Sequence, residues 1–419
     1  MDNPIEQLAA RLQVLPSHVR WLYAQEGVIR AVALGRSPKR GPRSRFADSL
    51  IGLGTRVGLE RPIAAFVNFI LLTLTYARQN LARSATANGV LFFCIEALRE
   101  PELASRFGTM QASPVIKLDE RGLSDFFALA RVPFLALLWE MGAVWREVWI
   151  HLDPSSPAIG LKRLYLLSFL LMYGHRFAYL RAWFRQCLSR PGISQTVAFT
   201  AASYVSFASV AAGADTIYME HGLQSRSVVY PDFSRSICFN GFDAEQIRRR
   251  LPQCAVTVAI EPAQFLATRR IAAVAGNYFK PEDFDLIRPF IDWAVRNDLA
   301  VIVRKHPMDS SGYWEQWRGV AGVEVTDGGG SFAEFLDRFR PRLLASWFST
   351  TLFEAIVKGI VPITVTPESD DEAVSDTVFP FRDLALCWPR DEGIAQALLD
   401  DDKRRAVILT DNYARVAGT

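Results

Sequence analysis

The chain is poor in the features that mark the easily assigned protein classes. Its five cysteines, Cys94, Cys187, Cys238, Cys254 and Cys387, lie far apart in 419 residues. An odd number without a CxxC pair argues against a disulfide framework or a structural zinc site and suits a reducing compartment. Neither sign of charge dominates: 47 Lys and Arg against 44 Asp and Glu leave a formal +3. That balance argues against a protein wrapped mainly around duplex phosphates, so no nucleic-acid partner is expected. The start Met1-Asp2-Asn3-Pro4-Ile5-Glu6 lacks a basic region followed by an apolar run, so no signal peptide is read and a cytoplasmic location is expected.

Long hydrophobic runs are also missing. A crossing helix needs about 20 apolar residues, whereas Asn68 interrupts the apolar stretch 62–76, and Arg163 and His175 flank the stretch 164–173. Both are read as buried core helices, with an interfacial position as the alternative. The basic stretch Arg36, Lys39, Arg40, Arg43, Arg45 precedes the first of them and is broken by Pro38, Gly41 and Pro42. It reads first as a solvated loop. Its functional alternative is contact with an anionic membrane surface through residues 30–76, on the inner face of the inner membrane. The chain contains no GxxxxGK[ST], no GxGxxG after a strand, no HExxH and no GxSxG. ATPase, dinucleotide, zincin and hydrolase chemistry lose support accordingly. No Asp-x-Asp stands at a strand end, so no metal ligands are assigned.

What is present is an alternation of strand and helix patterns in a chain too long for one ordinary core. Residues 1–85 show apolar positions at helical spacing (Leu8, Leu12, Leu15, Val19, Leu22) and are read as a helical N-terminal extension. Apolar strand runs then start at Gly89, Thr196, Thr216 and Ser236, with helical stretches at 123–150, 158–189, 201–212 and 243–250. A second series places strands at 271–276, 299–304, 323–326, 343–347 and 361–365, with helices at 284–295, around Trp314, at 332–339 and from about 350 to Gly359. The expected fold is α/β with two Rossmann-like domains, at 86–255 and 256–419.

Three short polar signatures sit where predicted strands end: Glu220-His221-Gly222, Lys305-His306-Pro307 and Ser349-Thr350-Thr351. Ligands of open α/β sheets collect at the carboxyl ends of strands, which makes these clusters candidates for one cleft. Transfer from a nucleotide donor needs an acceptor hydroxyl deprotonated and a leaving phosphate neutralised. His221 suits the base and is favoured over Glu220 by analogy with other HG motifs, and Gly222 frees the turn. His306 occupies the equivalent place in the second series, and Pro307 restricts its backbone to the extended region. Arg304 and Lys305 add positive charge for a phosphate. Ser349, Thr350 and Thr351 open a helix whose amides and dipole suit a phosphate, an ordinary N-cap being the plain alternative. Glu354 is placed to accept from ribose hydroxyls. The whole arrangement requires His221 and His306 to face each other across a gap between two lobes.

Over about 190 to 370 these motifs resemble those of the two-Rossmann-domain (GT-B) transferases of bacterial surface polysaccharide assembly. The likeness is to bacterial polysialyltransferases and to CDP-glycerol glycerophosphotransferases of the teichoic-acid type. In that group an HG or acidic-acidic-Gly motif carries the base, and HP and Ser/Thr motifs bind the donor phosphate. The polysialyltransferases carry an acidic residue where His221 stands, and the glycerophosphotransferases match it better. The resemblance implies an inverting, metal-independent glycosyltransferase that moves a sugar or polyol phosphate from a nucleotide-sugar donor, CMP- or CDP-linked in preference to UDP, with no cofactor. It implies a glycan or glycolipid acceptor of the cell surface. A nucleotide-sugar 2-epimerase of the same architecture and a catalytically silent glycan-binding scaffold are the rival expectations.

Overall fold

The computed structural model describes residues 3–418 apart from 24–25, 36–41, 57–58, 83–88, 95–114, 120–122, 152–162, 191–192, 199, 202, 221–223, 261, 266, 277–284, 307–308, 310–311, 348 and 366–381. The chain divides into two compact units, one of 1–221, 226–238 and 244–257, the other of 222–225, 239–243 and 258–419. Each is built on a six-stranded sheet, and together they give an α/β protein with two Rossmann-like domains.

The first sheet contains β1 (Gly89–Cys94), β2 (Val115–Asp119), β3 (Ile193–Ala198), β4 (Thr216–Met219), β5 (Arg235–Cys238) and β6 (Ala255–Val258), in the order β2-β1-β3-β4-β5-β6. Neighbouring pairs from β2 to β5 run parallel. Thr216-Ile217-Tyr218-Met219 is buried on both faces, as a central parallel strand must be.

The second sheet contains β7 (Ile271–Ala275), β8 (Ala300–Arg304), β9 (Val323–Thr326), β10 (Leu343–Ser346), β11 (Val361–Thr364) and β12 (Leu386–Cys387), in the order β12-β11-β10-β7-β8-β9. Every pairing in it is parallel. The chain starts at β7, runs outward through β8 and β9, then returns to β7's other side for β10, β11 and β12. That is the doubly wound order 3-2-1-4-5-6, with its switch point between β7 and β10. The helix Thr350–Val357 ends as expected at Gly359, whose φ of +74° places it in the left-handed region.

Helices Pro42–Arg56, Glu60–Leu81 and Phe134–His151 all pack on the long helix Arg163–Leu188 in the first unit. Leu170, Phe177, Leu180, Trp183 and Phe184 of that central helix are buried, so the stretch 164–173 is core, as expected. The stretch 62–76 is not. Its helix turns Asn68, Leu72, Thr75 and Gln79 inward while Phe66, Phe69, Ile70 and Leu74 stay exposed. The polar residues reach inward because backbone groups wait for them there. Gln79 accepts from Val132 N (2.8 Å) and from the Tyr179 hydroxyl (2.9 Å) and donates to Val132 O (3.0 Å). Asn68 donates to Ala64 O (3.0 Å) and Leu170 O (3.3 Å). No helix among the described residues is long and apolar enough to cross a membrane.

Candidate active site

The second sheet brings two of the three polar signatures to one edge. His306 follows β8 and Ser349 follows β10, and both strands flank β7. Adjacent strands lie about 4.8 Å apart, so the two strand ends stand roughly 10 Å from each other across the end of β7. This edge is the switch point.

Small residues line its centre. The β8 ladder continues past β7, with Gly276 N donating to Arg304 O at 2.8 Å and Lys305 N to Thr326 O at 3.0 Å. A Cβ at Gly276 would lie 3.1 Å from Arg304 O, 3.2 Å from the Trp314 ring and 3.3 Å from His306 N. Glycine is what lets the chain pass this close beneath His306. On the other side the β10 pairing with β7 runs from Leu343↔Ala272 to Ala345↔Val274. Beyond it the buried Ser346 hydroxyl donates to Ala275 O at 2.9 Å. His306 itself is half-buried, and its carbonyl accepts from Asp309 N at 2.9 Å, turning the loop back at once. Pro307 lies outside the described residues.

Ser349 is the N-cap of the helix Thr350–Val357, with its side chain accepting from Thr351 N (3.3 Å) and from the Thr351 hydroxyl (2.9 Å). The plain N-cap role is therefore fulfilled, and the helix presents its positive end at the β10 terminus. Glu354 lies one turn on, half-buried.

Arg304 and Lys305 have protein partners. The Arg304 guanidinium donates to Gly330 O (2.7 Å) and Gly328 O (3.2 Å) and covers the rings of Phe332 and Phe335 at 5.4 and 5.8 Å. Lys305 Nζ lies 3.3 Å from Glu315 and 3.9 Å from Asp327. Both cations hold the loops around β9, where the sequence offered them to a donor phosphate.

In the first unit Glu220 extends β4, with its N–H donating to Ile237 O at 3.0 Å, and it is 1% exposed. His221 and Gly222 lie outside the described residues, so the expected facing of His221 and His306 is a geometry on which the described residues do not bear. The segment that follows is pinned from elsewhere in the chain. Gln13 accepts from Tyr230 N (2.8 Å) and donates to Tyr230 O (3.0 Å), and Arg20 donates to the same carbonyl at 3.2 Å. Arg250 donates to the carbonyls of Val228 and Arg226, and its burial lowers its pKa. Gln224 N and the Asn240 amide both donate to Asp243 Oδ2, at 3.2 and 2.8 Å.

Gly276, Ser346, Gln13, Arg20 and Arg250 were not singled out from the sequence. Only Gly276 left a trace there, as the glycine closing the small-residue run Ile271-Ala272-Ala273-Val274-Ala275. Among the described residues no group of three His, Cys, Asp or Glu side chains is placed to hold a metal ion.

No family model and no curated protein matches this chain. Solved structures do. MurG of Acinetobacter baumannii is similar at 11% identity, over 78% of this chain and 94% of its own, with a TM-score of 0.43. The UDP-GlcNAc 2-epimerase of Methanocaldococcus jannaschii, in complex with UDP-GlcNAc and UDP, is similar at 9% identity over 75% and 92%, with a TM-score of 0.43. The wall teichoic acid polymerase TagF is similar at 10% identity over 91% and 94%, with a TM-score of 0.41.

Proposed function

We propose that the protein is a nucleotide-donor glycosyltransferase that holds the donor phosphate at the carboxyl edge of the second sheet. The observation that carries this reading is the placement of His306 and the Ser349-capped helix on the two strands flanking β7, at the switch point. An imidazole and a helix N-terminus are both suited to a developing phosphate charge. Gly276 supports the assignment because its missing side chain allows close backbone approach at that spot.

In this reading His306, Ser349 and Thr350 stabilise the leaving phosphate, with Thr351 completing the cap and Pro307 aiming the imidazole. Glu354 accepts from the ribose. Arg304 and Lys305 position the loop around His306, since their charges are met by protein groups. His221 takes the acceptor proton. Glu220 is buried, which favours His221 over it as the base. The reaction is inverting and metal-independent, the donor is cytidine-activated, and the acceptor is a surface polysaccharide or glycolipid.

The test is a thermal-shift screen with CMP, CDP, UDP and GDP, followed by turnover of the matching nucleotide sugar by wild type and His306→Ala. A ligand that binds only the folded state raises the melting temperature. The cytidine nucleotides are expected to give the larger shift, and His306→Ala to lose most turnover while melting as wild type does. Near-normal activity in that variant would overturn the donor site. Product from donor alone, without acceptor, would indicate an epimerase instead.

A further inference from the structure

The helix Glu60–Leu81 is built inside out. Its inward face carries Asn68, Thr75 and Gln79, while between Arg61 and Arg78 the chain holds no charged residue. Sixteen residues at 1.5 Å each make this uncharged stretch about 24 Å long. Phe66 is 64% exposed and Leu74 53%, with Phe69 and Ile70 on the same outward face. A helix in contact with water on that side places its polar residues there. Here Asn68 and Thr75 are sequestered, and the one exposed polar residue of the stretch, Thr73, turns its hydroxyl onto its own helix at Phe69 O.

A second helix continues the surface. Phe134–His151 lies antiparallel to Glu60–Leu81: Arg61 sits over the Trp149 ring at 4.6 Å near one end, and Tyr76 meets Phe134 at 5.1 Å near the other. Its outward positions include Leu135 (78% exposed), Trp139 (77%) and Ile150 (66%). The third helix on the same scaffold, Pro42–Arg56, adds exposed Phe46 and Leu53. Exposed apolar side chains at such density mark a binding surface.

Charge complementarity identifies what it binds. On these three helices every exposed charged side chain is an arginine: Arg43, Arg45, Arg56, Arg61, Arg78 and Arg146. Their acidic residues, Asp48, Glu60, Glu140 and Glu147, are half-buried or buried, and Glu140 and Glu147 are paired with Arg181 at 2.6 Å. An apolar face with an exposed tryptophan, on which every exposed charge is an arginine, has the composition of a helix lying in the headgroup layer of an anionic leaflet.

We propose that the outward faces of Glu60–Leu81 and Phe134–His151 dock flat into one leaflet of an anionic bilayer, with their exposed arginines on the lipid phosphates. This surface stands independently of the donor chemistry proposed above.

The experiment is flotation of the full-length protein with vesicles of phosphatidylcholine alone and of phosphatidylcholine mixed with phosphatidylglycerol. Binding is expected to the mixed vesicles and to weaken with salt. Each of these exposed arginines changed to glutamine should lower affinity about fivefold. The double variant Ile70→Glu and Leu74→Glu should lose binding at least about tenfold while its melting temperature stays near wild type, both positions being exposed. Brominated lipid should quench tryptophan fluorescence in the wild type and less in Trp139→Phe, a readout that needs no charged variant to fold. Absence of binding to the mixed vesicles at low salt overturns the proposal. So does wild-type binding by the double variant, or self-association abolished by that variant without lipid binding, which would make a second copy the occupant.

Discussion

The Ser346 hydroxyl donates to the Ala275 carbonyl at 2.9 Å just where the pairing of β10 with β7 stops. A side chain here takes over from the backbone ladder. Beyond it β10 leads to the helix that Ser349 caps and β7 to Gly276. The hydrogen bond is buried, so it holds the ends of the two strands together.

Ser346→Ala should leave the Ala275 carbonyl buried without its donor, at a cost of about 1–3 kcal/mol. The melting temperature of the second unit is expected to fall, and nucleotide affinity to fall with it. Calorimetry with and without nucleotide measures both.

Gly276→Ala tests the close passage beneath His306. The added methyl meets backbone at 3.1 and 3.3 Å and a tryptophan ring at 3.2 Å. Overpacking of this kind costs about 1–3 kcal/mol. Because two of the three contacts belong to Arg304 and His306, nucleotide binding is expected to suffer more than in a core variant of equal melting temperature. Paired titration and thermal unfolding of the two variants decide it.

Gln79 is the joint between the outer helix and the start of Phe134–His151. Gln79→Ala leaves the N–H and carbonyl of Val132 without their partner, an expected loss of about 2–5 kcal/mol. Tyr179→Phe removes a single bond of the same cluster and should cost about 1 kcal/mol. Chemical denaturation of both variants gives the ranking.

His175 supplies a pH dependence. Burial, with the Arg176 charge adding to it, pushes its pKa down to about 3, and its Nδ1 has no hydrogen-bond partner. The unfolded chain takes up this proton near pH 6.5, whereas the folded chain resists it. Stability is therefore full above about pH 6.5 and is lost as pH falls from there toward 3. Melting temperature should decline between pH 7 and 5, above the range of ordinary carboxylates, and decline less in His175→Gln.

The interior of both sheets was legible, and of their four margins only β9 was. The strands expected from apolar runs are β1, β3, β4, β5, β7, β8, β9, β10 and β11, all of which except β9 lie between two neighbours. The three that the sequence did not reveal, β2, β6 and β12, are all edge strands. An edge strand needs no continuous apolar run. Lys117 and Asp119 interrupt β2, β6 is half exposed, and β12 has two residues. The same physics hid the outer face of Glu60–Leu81, because apolar content shows in a sequence while the direction it faces is set by the partners of Asn68 and Gln79. Strand ends could be read from where apolar runs stop, so the places of His306 and Ser349 just after β8 and β10 were legible. Arg304 and Lys305 were assigned by charge alone, and their acceptors, the carbonyls of 328 and 330 and the carboxylates of 315 and 327, come from loops that no local pattern connects to them.

The clasp between Gln13 and Tyr230 spans 217 positions of the chain. On a ribosome adding roughly 5–20 residues per second, the first partner emerges on the order of ten to forty seconds before the second. During that interval Gln13 is without the partner it holds in the folded chain, and the backbone at Tyr230 is clasped only after it has emerged. Growth of the nascent polypeptide thus sets the order in which this chain's first unit can mature.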